Sequence, residues 1–268
     1  MYKRIVTGFL LICFILSFNI TTVNAQSYSF TVPTAKVTFS IEADGSATIE
    51  YIYVFANDNG APAIEFIDIG MPAGSNYSYS DMTGEIDGKA ISHIKSSEYI
   101  SNGVEFGLGS NAIPAGRTGT FHATLRNVRG VVFPGTAEES ESYAGSQFQP
   151  NYFESSAVSG KTDMTVTIVL PPGATDQEGR YYEPENWPGD KAPQSGFLDD
   201  RIFYTWNSTD ARTDRQYVFG AAFPARLIPG NTIAQPPANN TFDNNGSGAV
   251  SISIGDFIDN ISGFACCG

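Results

Sequence analysis

The sequence predicts an all-β fold, an antiparallel β-sandwich of the immunoglobulin-like or a related type with long aromatic loops. Three observations predict it. Apolar and polar residues alternate over several short segments, as in strands with one buried face. Glycine-, proline- and asparagine-containing turn dipeptides separate these segments. No stretch between residues 26 and 248 keeps the 3.6-residue period of an amphipathic helix.

The first hairpin has the strongest pattern. Residues 36–42 alternate, Asp44-Gly45 follows, and residues 47–55 are rich in β-branched and aromatic side chains. Two such runs around Asp-Gly predict a tight hairpin. Its alternating residues should share one buried face: Val37, Phe39, Ile41, Ile49, Tyr51, Tyr53 and Phe55.

Further strands are predicted along the chain, at residues 97–100 and 104–108 around Asn102-Gly103, and at 119–125, 163–170, 201–206 and 216–223. Two longer polar stretches, 133–159 and 176–200, carry tyrosine, phenylalanine and tryptophan. Loops of this length are usually functional or disordered. Their aromatic content favours ordered loops packed over a sheet edge.

The N-terminus resembles a secretory signal peptide. Lys3 and Arg4 precede an apolar stretch, and small residues at 23–25 form a cleavage site. We therefore expect residues 1–25 to be removed and the mature chain to start at Gln26. An uncleaved membrane anchor is the alternative, although the apolar core is short for a spanning helix. The predicted location is extracellular or at the cell surface, with membrane anchoring.

The mature chain divides into three predicted parts. Residues 26–232 form the extracytoplasmic β domain. Residues 233–248 are a proline- and asparagine-rich linker. Residues 249–268 are an apolar tail, typical of a segment that leads into a membrane helix.

The charge of the chain excludes some partners. The formal net charge is −13, and loss of residues 1–25, which hold two basic and no acidic residues, makes it −15. Phosphate backbones and anionic membrane surfaces would repel such a protein, so nucleic acid is not expected as a partner. Cys266 and Cys267 are adjacent at the C-terminus. They suit intermolecular disulfides or acylation, or are simply small apolar residues before a membrane helix.

The sequence shows no convincing catalytic or metal-binding motif. His93 and His122 are the two histidines, both in segments where a solvent-facing position is expected, and no G-x-S-x-G elbow is present. Residues 159–162 resemble the end of a phosphate-binding loop, but Ser155 stands where a glycine is needed. Residues 243–248 resemble the start of a calcium loop without its closing glutamate. No H-E-x-x-H occurs, and no cofactor is predicted.

Paired carboxylates beside aromatic residues suit sugar chemistry, because glycosidases use two acids and aromatic rings stack on sugar faces. One loop combines both features and is the predicted ligand-binding site: Tyr181, Tyr182, Glu183, Glu185 and Trp187. This loop supports an alternative function, that of a secreted carbohydrate-binding or carbohydrate-active protein.

Residues 39–51, with the Asp44-Gly45-Ser46 hairpin, resemble the opening of a group of predicted bacterial membrane proteins of unknown function. Residues 170–173 and 219–224 are similar in style to later strands of their β domain. The resemblance implies an exported β domain followed by a membrane helix. The leading expectation is therefore a non-enzymatic surface domain for interaction, sensing or structure, with a protein or glycan ligand at the cell surface.

Overall fold

A computed structural model of the chain describes residues 28–135 and 141–234. This described part forms 16 β-strands and four short 3₁₀ turns, with no α-helix. None of its helical segments is long and apolar enough to cross a membrane. The 3₁₀ turns are Tyr79–Asp81, Gly109–Asn111, Ala225–Leu227 and Gly230–Thr232. The strands are β1 (Phe30–Ile41), β2 (Ala47–Asn57), β3 (Phe66–Gly70), β4 (Met82–Ile86), β5 (Lys89–Ala90), β6 (His93–Ser96), β7 (Gly103–Gly107), β8 (Thr118–Val128), β9 (Phe133–Pro134), β10 (Tyr143–Phe148), β11 (Val158–Ser159), β12 (Thr162–Val169), β13 (Arg180–Tyr182), β14 (Gln194–Leu198), β15 (Arg201–Ala211) and β16 (Phe219–Pro224).

The strands form three sheets, and the predicted all-β class is confirmed. The large sheet has the order β14-β15-β12-β1-β2-β8-β4-β5, with β11 beside β1. The four-stranded sheet has the order β13-β16-β10-β9, and the three-stranded sheet has the order β3-β7-β6. One face of the large sheet packs against both smaller sheets. Its opposite, outer face is mainly but not wholly polar.

The large sheet is mixed, which corrects the prediction of a purely antiparallel arrangement. β1 pairs with β2 in antiparallel fashion but with β12 and β11 in parallel. The register runs from Thr34 opposite Asp163 to Ser40 opposite Val169. The period-2 pattern gives the buried face of a strand but not its direction. The sequence therefore carried no signal for this long-range parallel pair.

The Asp44-Gly45 hairpin is confirmed. The backbone N–H of Glu42 donates to the carbonyl of Ser46 at 2.8 Å, and Gly45 takes a φ of +76°. Asp44 Oδ1 accepts from the N–H of Ser46 at 3.0 Å and from its hydroxyl at 2.6 Å. Arg129 donates to the second carboxylate oxygen at 2.6 Å. These contacts fix the turn and therefore the register of β1 and β2.

The core lies between the large sheet and the two smaller ones. The seven residues predicted to share a buried face of the first hairpin are all at most 1% exposed, which confirms the assignment. Phe39 stacks on Phe148 of the four-stranded sheet with ring centroids 4.8 Å apart. Phe106 of the three-stranded sheet meets Phe121 of β8 at 5.2 Å. Aromatic contacts thus join both smaller sheets to the inner face of the large one.

Two predicted segments differ from the observed structure. Residues 97–100 were predicted as a strand, but the hydroxyl of Ser97 accepts from the N–H groups of Tyr99 and Ile100, which closes a local turn. The stretch 133–159, predicted as a loop, contains β9, β10 and β11. β10 is buried on both faces and contains small residues, so its sequence does not alternate. A Cβ on Gly145 would lie 2.9 Å from the carbonyl oxygen of Ala221 on the neighbouring strand.

The described chain extends two residues beyond the predicted domain end at 232. Ile233 packs against the core, and the N–H of Ala234 donates to the carbonyl of Val132 at 2.8 Å. The predicted signal peptide, the rest of the linker and the apolar tail with Cys266 and Cys267 lie outside the described residues.

Candidate functional site

The five residues of the predicted sugar-binding loop do not form one surface. Tyr181 and Tyr182 are successive residues of β13 and therefore point to opposite faces. Tyr181 packs on Tyr204, with ring centroids 5.5 Å apart. Trp187 is buried and meets Tyr217 and Phe219, each with ring centroids 5.1 Å away.

The other three side chains of the loop differ in their burial. Tyr182 is partly enclosed by the protein, and this burial raises its pKa to about 12. Glu183 and Glu185 are exposed. The aromatic members of the loop therefore belong largely to the core, while the carboxylates face solvent.

His122 lies on the outer face of the large sheet, on the solvent side of its strand. Its Nε2 is 2.7 Å from Glu50 Oε1, and its Nδ1 is 3.3 Å from Glu85 Oε1. All three side chains are between 35% and 45% exposed. The cluster joins β2, β8 and β4 on an open sheet face, so we interpret it as a cross-strand contact that stabilises the sheet.

A different group of polar residues lies on the outer face of the three-stranded sheet. Asp68 on β3 is opposite Glu105 on β7, and Glu105 is opposite Lys95 on β6. We call Asp68, Glu105 and Lys95 the acidic row. Cross-strand neighbours have Cβ atoms roughly 5 Å apart, so each side chain of the row is within reach of the next.

The acidic row carries more negative than positive charge. The Nζ of Lys95 is 3.4 Å from Glu105 and 3.0 Å from Glu98, so two carboxylates share this one ammonium. Asp68 adds a third carboxylate beside them. Glu105 is only 8% exposed. The row therefore has a net negative charge. A buried carboxylate needs hydrogen bonds or an opposite charge, and the single ammonium of Lys95 cannot supply both for every acid of the row.

Asp68 is the least satisfied member of the row. Its Oδ1 is buried and, within residues 28–135 and 141–234, has no hydrogen-bond partner. Burial raises the pKa of this carboxyl above its ordinary value, and the nearby charge of Glu105 adds to the rise. A hydrogen bond from Ser97 and the charge of Lys95 oppose the shift.

Aromatic side chains stand beside the acidic row. Phe66, two residues before Asp68 and on the same face of β3, stacks on Tyr99 with ring centroids 5.5 Å apart and parallel rings. Tyr28 meets the edge of Phe66 at 6.0 Å. Tyr99 is 73% exposed, which is unusual for a large aromatic residue. Tyr28, Phe66 and Tyr99 are called the aromatic wall below.

Local backbone contacts hold the wall and the row together. The Ser97 turn directs Tyr99 back over β3. Asn151, which follows β10, accepts from the N–H of Gly70 at 2.9 Å and donates to the carbonyl of Asp68 at 3.0 Å. These bonds fix the end of β3 against the four-stranded sheet, so the position of Asp68 is set by the fold rather than by a mobile loop.

The sequence alone does not single out Asp68, Glu105 and Lys95. A signal was present, because Asp68 stands between isoleucines in F-I-D-I-G and Glu105 between apolar residues in V-E-F. Each is an acid in the middle of an alternating strand. What the sequence could not show is that the two strands are neighbours in register.

Carboxylates next to aromatic ring faces are the groups that proteins use to bind organic cations. An ammonium can donate to Asp68 and Glu105 while its carbon substituents contact the wall. A metal centre has less support, because the described residues contain no group of three or more histidine, cysteine, aspartate or glutamate side chains placed to hold an ion.

No protein-family model matches the chain, and no curated protein matches it. Solved structures do. An M1 zinc metallopeptidase from Deinococcus radiodurans is 11% identical, with a TM-score of 0.44 over 74% of this chain and 42% of that protein. A putative protease from Parabacteroides distasonis is 10% identical, with a TM-score of 0.43 over 73% of this chain and 41% of that protein. Yeast LTA4 hydrolase is 9% identical, with a TM-score of 0.44 over 72% of this chain and 29% of that protein.

These comparisons correct the predicted function. The chain spans less than half the length of each of these three proteins, whose names describe a zinc metallopeptidase, a putative protease and a hydrolase. The expectation of a non-enzymatic interaction domain is corrected, because the neighbours found are named as peptidases and a hydrolase. The five residues behind the carbohydrate-binding alternative do not share one surface. At these identities and TM-scores the likeness transfers no residue and no activity to this chain.

Proposed function

We propose that the domain recognises a ligand with a primary ammonium group, such as a peptide with a free amine, at the acidic row and aromatic wall. The observation that carries the proposal is the buried Oδ1 of Asp68, which lacks a hydrogen-bond partner within the described residues, beside the buried Glu105. Leaving a buried carboxylate oxygen without a partner costs stability, and residues with that cost are often retained for a function.

An ammonium supplies what the row lacks. It brings one positive charge and three N–H donors, enough to bond Asp68 and Glu105 together. The exposed ring of Tyr99 can contact the carbon substituents and add a cation–π attraction of roughly 0.5–2 kcal/mol. A peptide amine fits this description because apolar atoms follow directly behind the charged nitrogen.

The experiment is isothermal titration of the mature chain with an alanyl-phenylalanyl-alanine amide whose amine is free, compared with its N-acetylated form. The free amine should bind and the acetylated peptide should not. Nα-acetyl-lysine amide tests a side-chain ammonium in the same assay. Binding of the acetylated tripeptide with equal affinity would refute the ammonium as the recognised group.

Variants assign the binding to this site. Asp68→Asn keeps the shape of the side chain and removes its charge, and should weaken binding about tenfold to a hundredfold, as expected for a charge-assisted hydrogen bond. Asp163→Asn, an exposed acid on β12, is the matched control and should bind like the wild type. If both variants bind equally, the general acidity of the protein is responsible and the site is wrong.

We also propose that the domain works outside the cytoplasm, at the cell surface and with membrane anchoring. Residues 1–25, with their basic start, apolar core and small-residue cleavage site, support export. The resemblance of residues 39–51 to exported β domains of bacterial membrane proteins agrees with this. Fractionation of cells that express the full chain, followed by N-terminal sequencing, tests it. A cytoplasmic protein with residues 1–25 intact would refute it.

The finer fold class belongs to the same proposal. We assign the domain to the β-sandwiches related to the immunoglobulin type, because inner-face aromatic residues pack sheet against sheet. With its parallel β1–β12 pair, the domain would be a variant of that architecture.

A further inference from the structure

The strand β14 forms one edge of the large sheet in the described part of the chain, and its own five residues include no lysine and no proline. Within residues 28–135 and 141–234 it pairs with β15 on one side only. Its five residues, Q-S-G-F-L, carry no charge, in a chain whose net charge is −13. Phe197 is 57% exposed and Leu198 is 51% exposed. Soluble proteins normally place lysine, proline or a bulge in such a strand to prevent pairing with another chain.

The hairpin geometry shows which backbone groups of β14 face outward. A two-residue turn, Asp199-Asp200, joins β14 to β15, so Leu198 and Arg201 are the closing hydrogen-bonded pair. Hydrogen-bonded residues then alternate along the strand, and Gly196 and Gln194 also bond to β15. The N–H and C=O groups of Ser195 and Phe197 therefore point away from the sheet.

We infer that β14 pairs in antiparallel fashion with β14 of a second copy of this chain, centred on Gly196. In that register Ser195 of each copy lies opposite Phe197 of the other. Both residues offer an outward N–H and C=O, so each of the two symmetric pairs closes two backbone hydrogen bonds. The strand is thus complementary to itself, as a two-fold interface requires.

Side chains support the same register. Phe197 shares the inner face with Ile202, its partner on β15, so the two Phe197 rings of a dimer lie diagonally across the two-fold axis, within aromatic reach. At the centre, the two Gly196 residues face each other without a Cβ. A Cβ at Gly196 would lie 3.0 Å from the ring of Phe203, so that ring already covers the glycine on the outer face.

Charges at the two ends of the strand are complementary. Lys191 precedes β14, and Asp199 and Asp200 follow it, all three exposed. In the antiparallel register, Lys191 of one copy lies near the Asp199-Asp200 turn of the other. An extended peptide of another protein could use the same backbone groups, but it would not supply this matched pair of ends.

The test is sedimentation velocity of the mature chain from micromolar to near-millimolar concentration. The wild type should change from monomer to dimer as concentration rises, since a five-residue strand pair is a small interface. Ser195→Pro removes an outward N–H without touching a bond to β15, and should remain monomeric. Ser195→Ala keeps the N–H and should dimerise like the wild type.

A second variant controls for misfolding of Ser195→Pro as the cause of its monomeric state. Phe197→Lys keeps every backbone group but places two like charges across the axis, and it should also be monomeric with an unchanged far-UV circular dichroism spectrum. A wild type that stays monomeric over the whole range overturns the inference. So does a dimer that persists in both Ser195→Pro and Phe197→Lys, since its interface would then lie elsewhere.

Discussion

Replacing Phe39 with alanine tests the packing of the large sheet on the four-stranded sheet. Phe39 lies on the inner face of β1 near the end of the strand, is fully buried and stacks on Phe148. Removing a buried phenylalanine ring costs about 3–5 kcal/mol, because apolar burial is lost and a cavity remains. Domains of this size are stable by only about 5–15 kcal/mol, so the loss is a large part of the total.

The assay is urea denaturation followed by tryptophan fluorescence, since Trp187 and Trp206 are both buried and report on loss of the core. In thermal denaturation followed by the same fluorescence, at about 2–4 °C per kcal/mol, the melting temperature of Phe39→Ala should fall by roughly 6–20 °C. Ile52→Ala is the matched control. Ile52 lies on the outer face of the same hairpin, half-exposed, and its loss should cost about 1 kcal/mol. Equal losses in the two variants would refute the assignment of faces.

Two further predictions concern turns. The hydrogen bond from the Ser46 hydroxyl, with help from Arg129, lowers the pKa of Asp44. A lowered folded pKa stabilises the fold above the ordinary pKa and loses that effect as pH falls through the folded value. The stability advantage of wild type over Asp44→Ala, measured by urea denaturation, should therefore be full at neutral pH and shrink below about pH 4. In the Asp199-Asp200 turn both residues have positive φ. Asp200→Gly should relieve that strain and raise stability by about 0.5–1 kcal/mol, measured by thermal denaturation.

Each of these predictions has a clear contrary result. For Asp44, a stability difference that stays constant from neutral to acid pH would show that the turn does not depend on the charge of this carboxylate. The Ser46→Ala variant is the control, and its stability difference from wild type should show most of the same pH dependence. For Asp200, the control is Asp163→Gly near the start of β12, which should lose about 0.5–1 kcal/mol. A destabilised Asp200→Gly variant would mean that the aspartate makes contacts that outweigh its backbone strain.

The sequence was most informative where local rules decide the structure. Alternation over residues 36–55 predicted both strands and the whole buried face of the first hairpin, because only one register places all its aromatic residues inward. The Asp44-Gly45 dipeptide predicted the turn between them, because glycine readily takes the positive φ that a tight hairpin turn requires. β10 was missed because it is buried on both sides, where small residues replace the alternating pattern.

The candidate site was less accessible to sequence reasoning, because it depends on pairing at a distance. Asp68 and Glu105 are 37 positions apart by their numbers and become neighbours only through the β3–β7 register. The loop chosen from sequence had the right residue types, but β13 turns its tyrosines to opposite faces. Composition predicts which chemistry is available, whereas the sheet decides which side chains meet.

The ionisation of Asp68 in the absence and presence of an amine tests the central proposal most directly. Carbon-detected NMR of the side-chain carboxyl, recorded as a function of pH, gives the pKa of this one residue. Burial should keep that pKa above its ordinary value in the free protein. Addition of the free-amine tripeptide amide should lower it, because a bound ammonium favours the charged carboxylate. The acetylated peptide should leave it unchanged. A pKa of Asp68 that does not respond to the amine would contradict the proposed ligand site.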